Sequence, residues 1–179
     1  VLDILFYNEQ KKNKPQMIGT VHVMLAIAAL IFGAVVAFRP KGDRRHRILG
    51  YFYALSLLLV NISALTVYED SVVLGPFHIL AIVSLITLVG GFIPAFLQRP
   101  VSWWLDLHAY LMSWSYVGLV AAGVAQILTM SSSLPGWFAV GLPSLVLVVI
   151  GGVLIHTQVP KSIAKLASGW RQPNEHLNG

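Results

Sequence analysis

The chain contains no cysteine, which excludes disulfides, thiolate metal sites and iron–sulfur clusters. Charge is also scarce. Asp, Glu, Lys and Arg together make up 11% of the 179 residues, against about a quarter in a soluble domain. Catalytic strings are missing: there is no P-loop, no His-Glu-x-x-His, no Ser-His-Asp set and no paired carboxylates for acid–base work. No enzyme mechanism can therefore be written from motifs, and at most an electron-transfer component is open. The opening stretch VLDILFYNEQKKNKPQ lacks a basic n-region and a small-residue cleavage site, so no cleavable signal peptide is expected.

What is present is apolar. Hydrophobic residues make up 56% of the chain, and mean hydropathy is +0.75. A helical membrane span needs about 20 apolar residues. Five stretches qualify: Met17–Phe38, Ile48–Tyr68, Val73–Leu97, Trp103–Met130 and Trp137–Val159. The links between them are short, and short links join antiparallel neighbours. The expected fold is all-α: an integral membrane up-and-down bundle, a four-helix core plus a fifth transmembrane helix. Residues 1–16 read as a polar N-terminal segment, 17–159 as the transmembrane bundle and 160–179 as a polar tail. Pro76 suits a first helical turn, whereas Pro94 and Pro143 should kink their spans. Trp103, Trp104 and Trp137 fall at span ends, where an aromatic belt places them.

The formal net charge is +5. The basic residues sit beside apolar spans without the aromatic interleaving that stacks bases, so no nucleic-acid partner is expected. They serve topology instead. Arg39, Lys41, Arg44, Arg45, Arg47, Arg99, Lys161, Lys165 and Arg171 fall on one side, against Lys11, Lys12 and Lys14 on the other. The positive-inside bias puts the loop between spans one and two, and the C-terminus, in the cytoplasm. The N-terminus is then outside.

Alternating direction assigns each histidine a face. His22 and His78 lie in the first turns of spans one and three, toward the outside. His46 and His108 lie early in spans two and four, toward the cytoplasm. In a square bundle, helices one and three are diagonal, as are two and four. Ionisable groups within spans are costly and usually face the interior, so each pair should face across it. Two imidazoles reaching one iron from opposite helices suit haem b, with Gly19, Gly33, Gly50, Gly90, Gly91, Gly118 and Gly123 offering room. The same glycines serve ordinary close packing. His46, inside DRRHR, equally suits a basic loop against lipid phosphates. His156 reads as interfacial, and His176 lies in the tail.

Of the polar residues within spans, Asn61 and Gln126 are the costliest to bury. They could share the outer cavity with His22 and His78 and orient an imidazole through hydrogen bonds. Ser63, Thr66, Ser84, Thr87, Ser113 and Ser115 are expected to bond their own helix or a neighbour. Glu69 and Asp70 close span two as solvated carboxylates. Asp106 points away from His108, being two residues along a helix.

The strings HRILGYFYALSLLL at His46, FHILAIVSLITLVGG at His78 and LHAYLMSWSYVGLVAA at His108 carry a resemblance. The chain resembles a bacterial family of small predicted membrane proteins of unknown function. That family's early-helix histidine falls on His22, its His-Arg-x-x-Gly on His46, Arg47 and Gly50, and its His-x-x-x-Met on His108 and Met112. The resemblance covers roughly residues 17–130 and implies a four-helix core in a bacterial inner (cytoplasmic) membrane, without an assigned activity. The histidine layout is also similar to that of the ascorbate-reducible diheme cytochromes b. Those proteins hold their ligands deeper than His46, a departure that favours an outer haem over a cytoplasmic one.

Three functions compete. The first is a transmembrane haem-b electron carrier, His22 with His78 outside and His46 with His108 inside, exchanging electrons with quinol or another redox subunit. The second is a cofactor-free structural or assembly subunit of a larger membrane complex. The third is a metal or proton site at His22 and His78, with Glu69. A diagonal helix pair is wide for a bare ion, which needs its nitrogens at about 2 Å.

Overall fold

The computed structural model describes residues 2–66, 75–98, 103–131, 133 and 135–171. Glu69, Asp70, Arg99 and His176, and the span boundaries read at Tyr68 and Val73, lie outside the described residues. Five helices follow in order: α1 Leu2–Phe38, α2 Arg44–Thr66, α3 Pro76–Leu97, α4 Trp104–Ser131 and α5 Gly136–Arg171. All five are long and apolar enough to cross a membrane. The apolar stretch of α1 begins at Met17 and that of α5 reaches Leu166, so α5 continues as helix past Val159 and through Pro160.

Local chemistry sets the helix ends. Pro40 disfavours helix at Arg39, and α1 stops at Phe38. The Lys41 ammonium then donates to the carbonyls of Val36 and Ala37, at 2.7 Å each. Those carbonyls belong to the last turn of α1, where intrahelical partners run out. Gly42 takes φ +87°, which a residue without Cβ adopts freely. Asp43 accepts the His46 backbone N–H through Oδ1, capping the start of α2. A five-residue link is thus pinned to both helices it joins. Pro76 opens α3 within its first turn. Pro94 and Pro143 sit inside α3 and α5. Gln98 ends α3 in the left-handed region at φ 51°, its N–H donating to the Pro94 carbonyl.

Helices α1 to α4 form a ring: α1 packs on α2, α2 on α3, α3 on α4, and α4 closes on α1. This leaves α1 diagonal to α3 and α2 diagonal to α4. Helix α5 lies outside the ring against α4 and touches α3. The core is small: Ala29, Tyr53, Ala54, Leu57, Leu88 and Leu119 are buried together. Tyr53 and Ser115 share a 2.8 Å hydrogen bond across the α2–α4 diagonal, and the Tyr116 hydroxyl donates to the Leu30 carbonyl. Large apolar side chains cover the outside, with Ile86 66% and Ile127 67% exposed. In water such a surface would aggregate; in a bilayer it is the lipid face, and it makes the lipid bilayer the protein's surroundings.

Candidate functional site: the histidine pairs

The bundle has two ends, one carrying the α1–α2 loop and the other the α2–α3 connection. The sequence predicts a histidine pair at each, and the two fare differently.

At the α1–α2 loop end the predicted pair meets. The rings of His46 on α2 and His108 on α4 lie with centroids 6.5 Å apart and planes at 88°. Both are half-buried. His108 is fixed by a 2.9 Å hydrogen bond between its Nδ1 and the Gly91 carbonyl on α3. That bond makes Nδ1 the protonated nitrogen and leaves Nε2 with a lone pair. It depends on a close approach of α3 to α4. A Cβ on Gly91 would stand 3.0 Å from the Leu111 Cβ and 3.0 Å from the Met112 amide nitrogen, and one on Gly90 would stand 2.9 Å from Leu111. His46 has a buried Nδ1 with no hydrogen-bond partner. Lys41 lies close enough to act electrostatically on both rings. Burial also lowers the pKa of Lys41 itself below its ordinary value, since a half-buried ammonium loses hydration.

At the other end no ring contact joins His22 to His78 among the described residues. His22 turns to the adjacent helix, where its Nδ1 lies 2.7 Å from Ser63 Oγ. The Ser63 hydroxyl in turn donates to the Val60 carbonyl, so the ring N–H is the donor in the His22–Ser63 bond. His78 closes on its own helix start, its Nδ1 accepting the Gly75 N–H at 3.2 Å. Asn61, 3% exposed, donates from Nδ2 to Ser84 Oγ on α3 at 3.1 Å. Gln126 is exposed on α4. Among the described residues neither of these amides is hydrogen-bonded to an imidazole, the part the sequence suggested for them.

Of the glycines that offered room, Gly33, Gly90 and Gly91 are filled by neighbours, and Gly123 is in ordinary contact with Leu30. A Cβ at Gly33 would meet Tyr116 at 2.5 Å and Tyr53 at 2.9 Å, and one at Gly151 would meet Val117 at 2.6 Å. Gly19, Gly50 (one turn beyond His46) and Gly118 have nothing within 4 Å of such an atom. Among the described residues no three His, Cys, Asp or Glu side chains are grouped to hold a metal ion. His156 stays exposed, with its ring 5.7 Å from that of Tyr110. Sequence reading missed Lys41, Ser63 and the Gly91 carbonyl as partners of the imidazoles. The signal for Gly91 was the Gly90-Gly91 step, which lets a neighbouring helix reach the backbone.

Residues 19–164 match the family described as "Predicted membrane protein (DUF2306)". The match includes the stretch from His22 to Met112 on which the resemblance rested. No curated protein and no solved structure matches the chain.

Proposed function

Because the chain belongs to this family of multi-pass membrane proteins, whose function is unknown, we propose a role for the histidine pair that meets among the described residues. His46 and His108 form a bis-imidazole centre for one haem b, in a membrane electron-transfer component. The observation that carries this reading is the 6.5 Å separation of the two rings. Two imidazoles sharing one metal, each nitrogen about 2 Å from it, bring their ring centroids to roughly 6 Å. The Gly91 carbonyl on Nδ1 of His108 is the orienting bond that metal-bound imidazoles ordinarily have. The unpartnered Nδ1 of His46 and the open space at Gly50 fit a group seated between α2 and α4.

Bound there, haem would supply one-electron chemistry, with quinol or another redox subunit as the partner. The protein's own contribution is positional. Gly91 fixes one ring, the Asp43 cap fixes the helix start that carries the other, and Lys41 sets a positive charge beside both. The two-haem arrangement is reduced to one centre in this proposal, because no ring contact joins His22 to His78 among the described residues, whereas the rings of His46 and His108 meet.

The test is the reduced-minus-oxidised visible spectrum of purified protein. One haem per chain is expected, lost in His46→Ala and His108→Ala and retained in His22→Ala and His78→Ala. A folded, pure chain without an α-band overturns it. The filled sites at Gly33, Gly90 and Gly91 favour a second reading, a cofactor-free subunit of a larger membrane complex. That reading requires stoichiometric partners to co-purify and to persist in His46→Ala and His108→Ala. Basic-residue bias further supports a cytoplasmic α1–α2 loop in a bacterial inner membrane.

A further inference from the structure

Helix α2 carries an open apolar groove of about 280 Å³ on its outer surface, lined by Ile48, Tyr51, Phe52 and Leu55. Its aromatic walls are braced from both sides. Phe52 stacks on Phe32 of α1 with centroids at 5.4 Å, and Tyr51 meets Phe92 of α3 edge-on at 5.8 Å. Side chains held by neighbouring helices form a standing shape that needs little ordering when a ligand arrives.

The residues just before the groove are Arg44, Arg45 and Arg47, all exposed. No carboxylate pairs with these guanidiniums among the described residues. They share the groove's helical stripe. At 100° per residue, Arg44, Ile48, Tyr51 and Leu55 fall within about 60° of arc, with Arg47 on one flank and Arg45 and Phe52 on the other. The stripe is therefore cationic at the membrane boundary and apolar below it. Its length is also informative. Arg44 to Leu55 spans roughly 16 Å at 1.5 Å per residue, and half of a bilayer's hydrocarbon core is about 15 Å.

We propose that this stripe is a binding site for one anionic phospholipid, its phosphate on the Arg44–Arg47 cluster and an acyl chain along Ile48, Tyr51, Phe52 and Leu55. Charge complementarity selects the headgroup, since basic clusters beside a span attract anionic lipid. A partner transmembrane helix fits less well. Such helices pack through small residues that let backbones approach, and every residue lining this groove is large. The site is independent of the haem reading, because it faces away from the His46–His108 pair.

Native mass spectrometry of delipidated protein tests it. Phosphatidylglycerol and phosphatidylcholine with identical acyl chains are added in turn. Phosphatidylglycerol is expected to be retained at least tenfold better, and to raise the melting temperature where phosphatidylcholine does not. The triple variant Arg44→Gln, Arg45→Gln, Arg47→Gln should lose that preference, and Phe52→Ala should weaken retention of both lipids. Equal retention of the two lipids by the unaltered protein overturns the proposal. So does displacement of bound lipid by millimolar inorganic phosphate, or a stoichiometric protein partner that occupies the groove after delipidation.

Discussion

The two ends of the bundle began with equivalent sequence features and finished with different ones. Each has two histidines early in alternate helices, at matching depth and on a diagonal. At the α1–α2 loop end the rings of His46 and His108 meet at 6.5 Å. At the opposite end His22 bonds Ser63 and His78 bonds Gly75. Depth along a helix is thus not enough to join two side chains. Each ring must also be turned toward the other. His22 and His108 each have Nδ1 held by one hydrogen bond, so what separates them is where the ring is turned: His22 to Ser63 on the adjacent helix, His108 to a position where it meets His46.

The sharpest break of this contrast is spectroscopic. Haem should vanish with His108→Ala and persist with His22→Ala, an all-or-none difference between ends. If both variants lose it equally, the ends are equivalent and the single-centre reading fails.

Gly91→Val comes next. Its Cβ would press on Leu111 and Met112, forcing α3 from α4 at a cost of about 1–3 kcal/mol and pulling the carbonyl from His108. Thermal melting in detergent should show the loss. An unchanged melt would mean that the close helix approach is not what holds this end. A smaller effect belongs to the other end. Asn61→Leu removes one bond between α2 and α3, and interhelical hydrogen bonds in membranes average about 0.6 kcal/mol. A loss of several kcal/mol would instead make Asn61 a structural keystone.

The smallest effect is a pH slope. Lys41 titrates below 10.5 in the folded protein because burial disfavours its charge. Between that lowered value and 10.5 the unfolded chain holds more protons than the folded one, so stability rises with pH across this window. Lys41→Met should flatten the rise, as read from melting temperature against pH. A slope unchanged in the variant would assign the effect to other groups.

Much of the fold was legible in the residues. The apolar runs gave five spans, and the start of α3 agrees with Pro76 in a first helical turn. The short links gave neighbouring antiparallel helices, and the ring of α1 to α4 with α5 outside agrees with a four-helix core plus one. The continuation of α5 past Pro160 was not legible. Lys161 and Lys165 mark a membrane boundary in composition, yet a helix can cross that boundary without changing its backbone hydrogen bonds. The site was legible only in part. His46 lay in a basic string and looked like loop, which made it the weakest of the four histidines. The structure puts it in the first turn of α2, held by the Asp43 cap. Asn61 and Ser84 were each visible as polar residues within spans, and their bond required knowing that α2 and α3 present those positions to each other.

By itself the sequence determined the class of solvent, the number and length of spans, and the depth of every polar residue. Those follow from the cost of placing charge and unbonded backbone in hydrocarbon, which is paid residue by residue along the chain. Only the tertiary structure decided which way each helix is turned. In water an apolar stripe would mark the inward face, but lipid is as apolar as a protein core. Buried Leu88 and exposed Ile86 therefore look alike in the sequence, and the rotation that brings His108 to Gly91 and His46 came from close packing between helices.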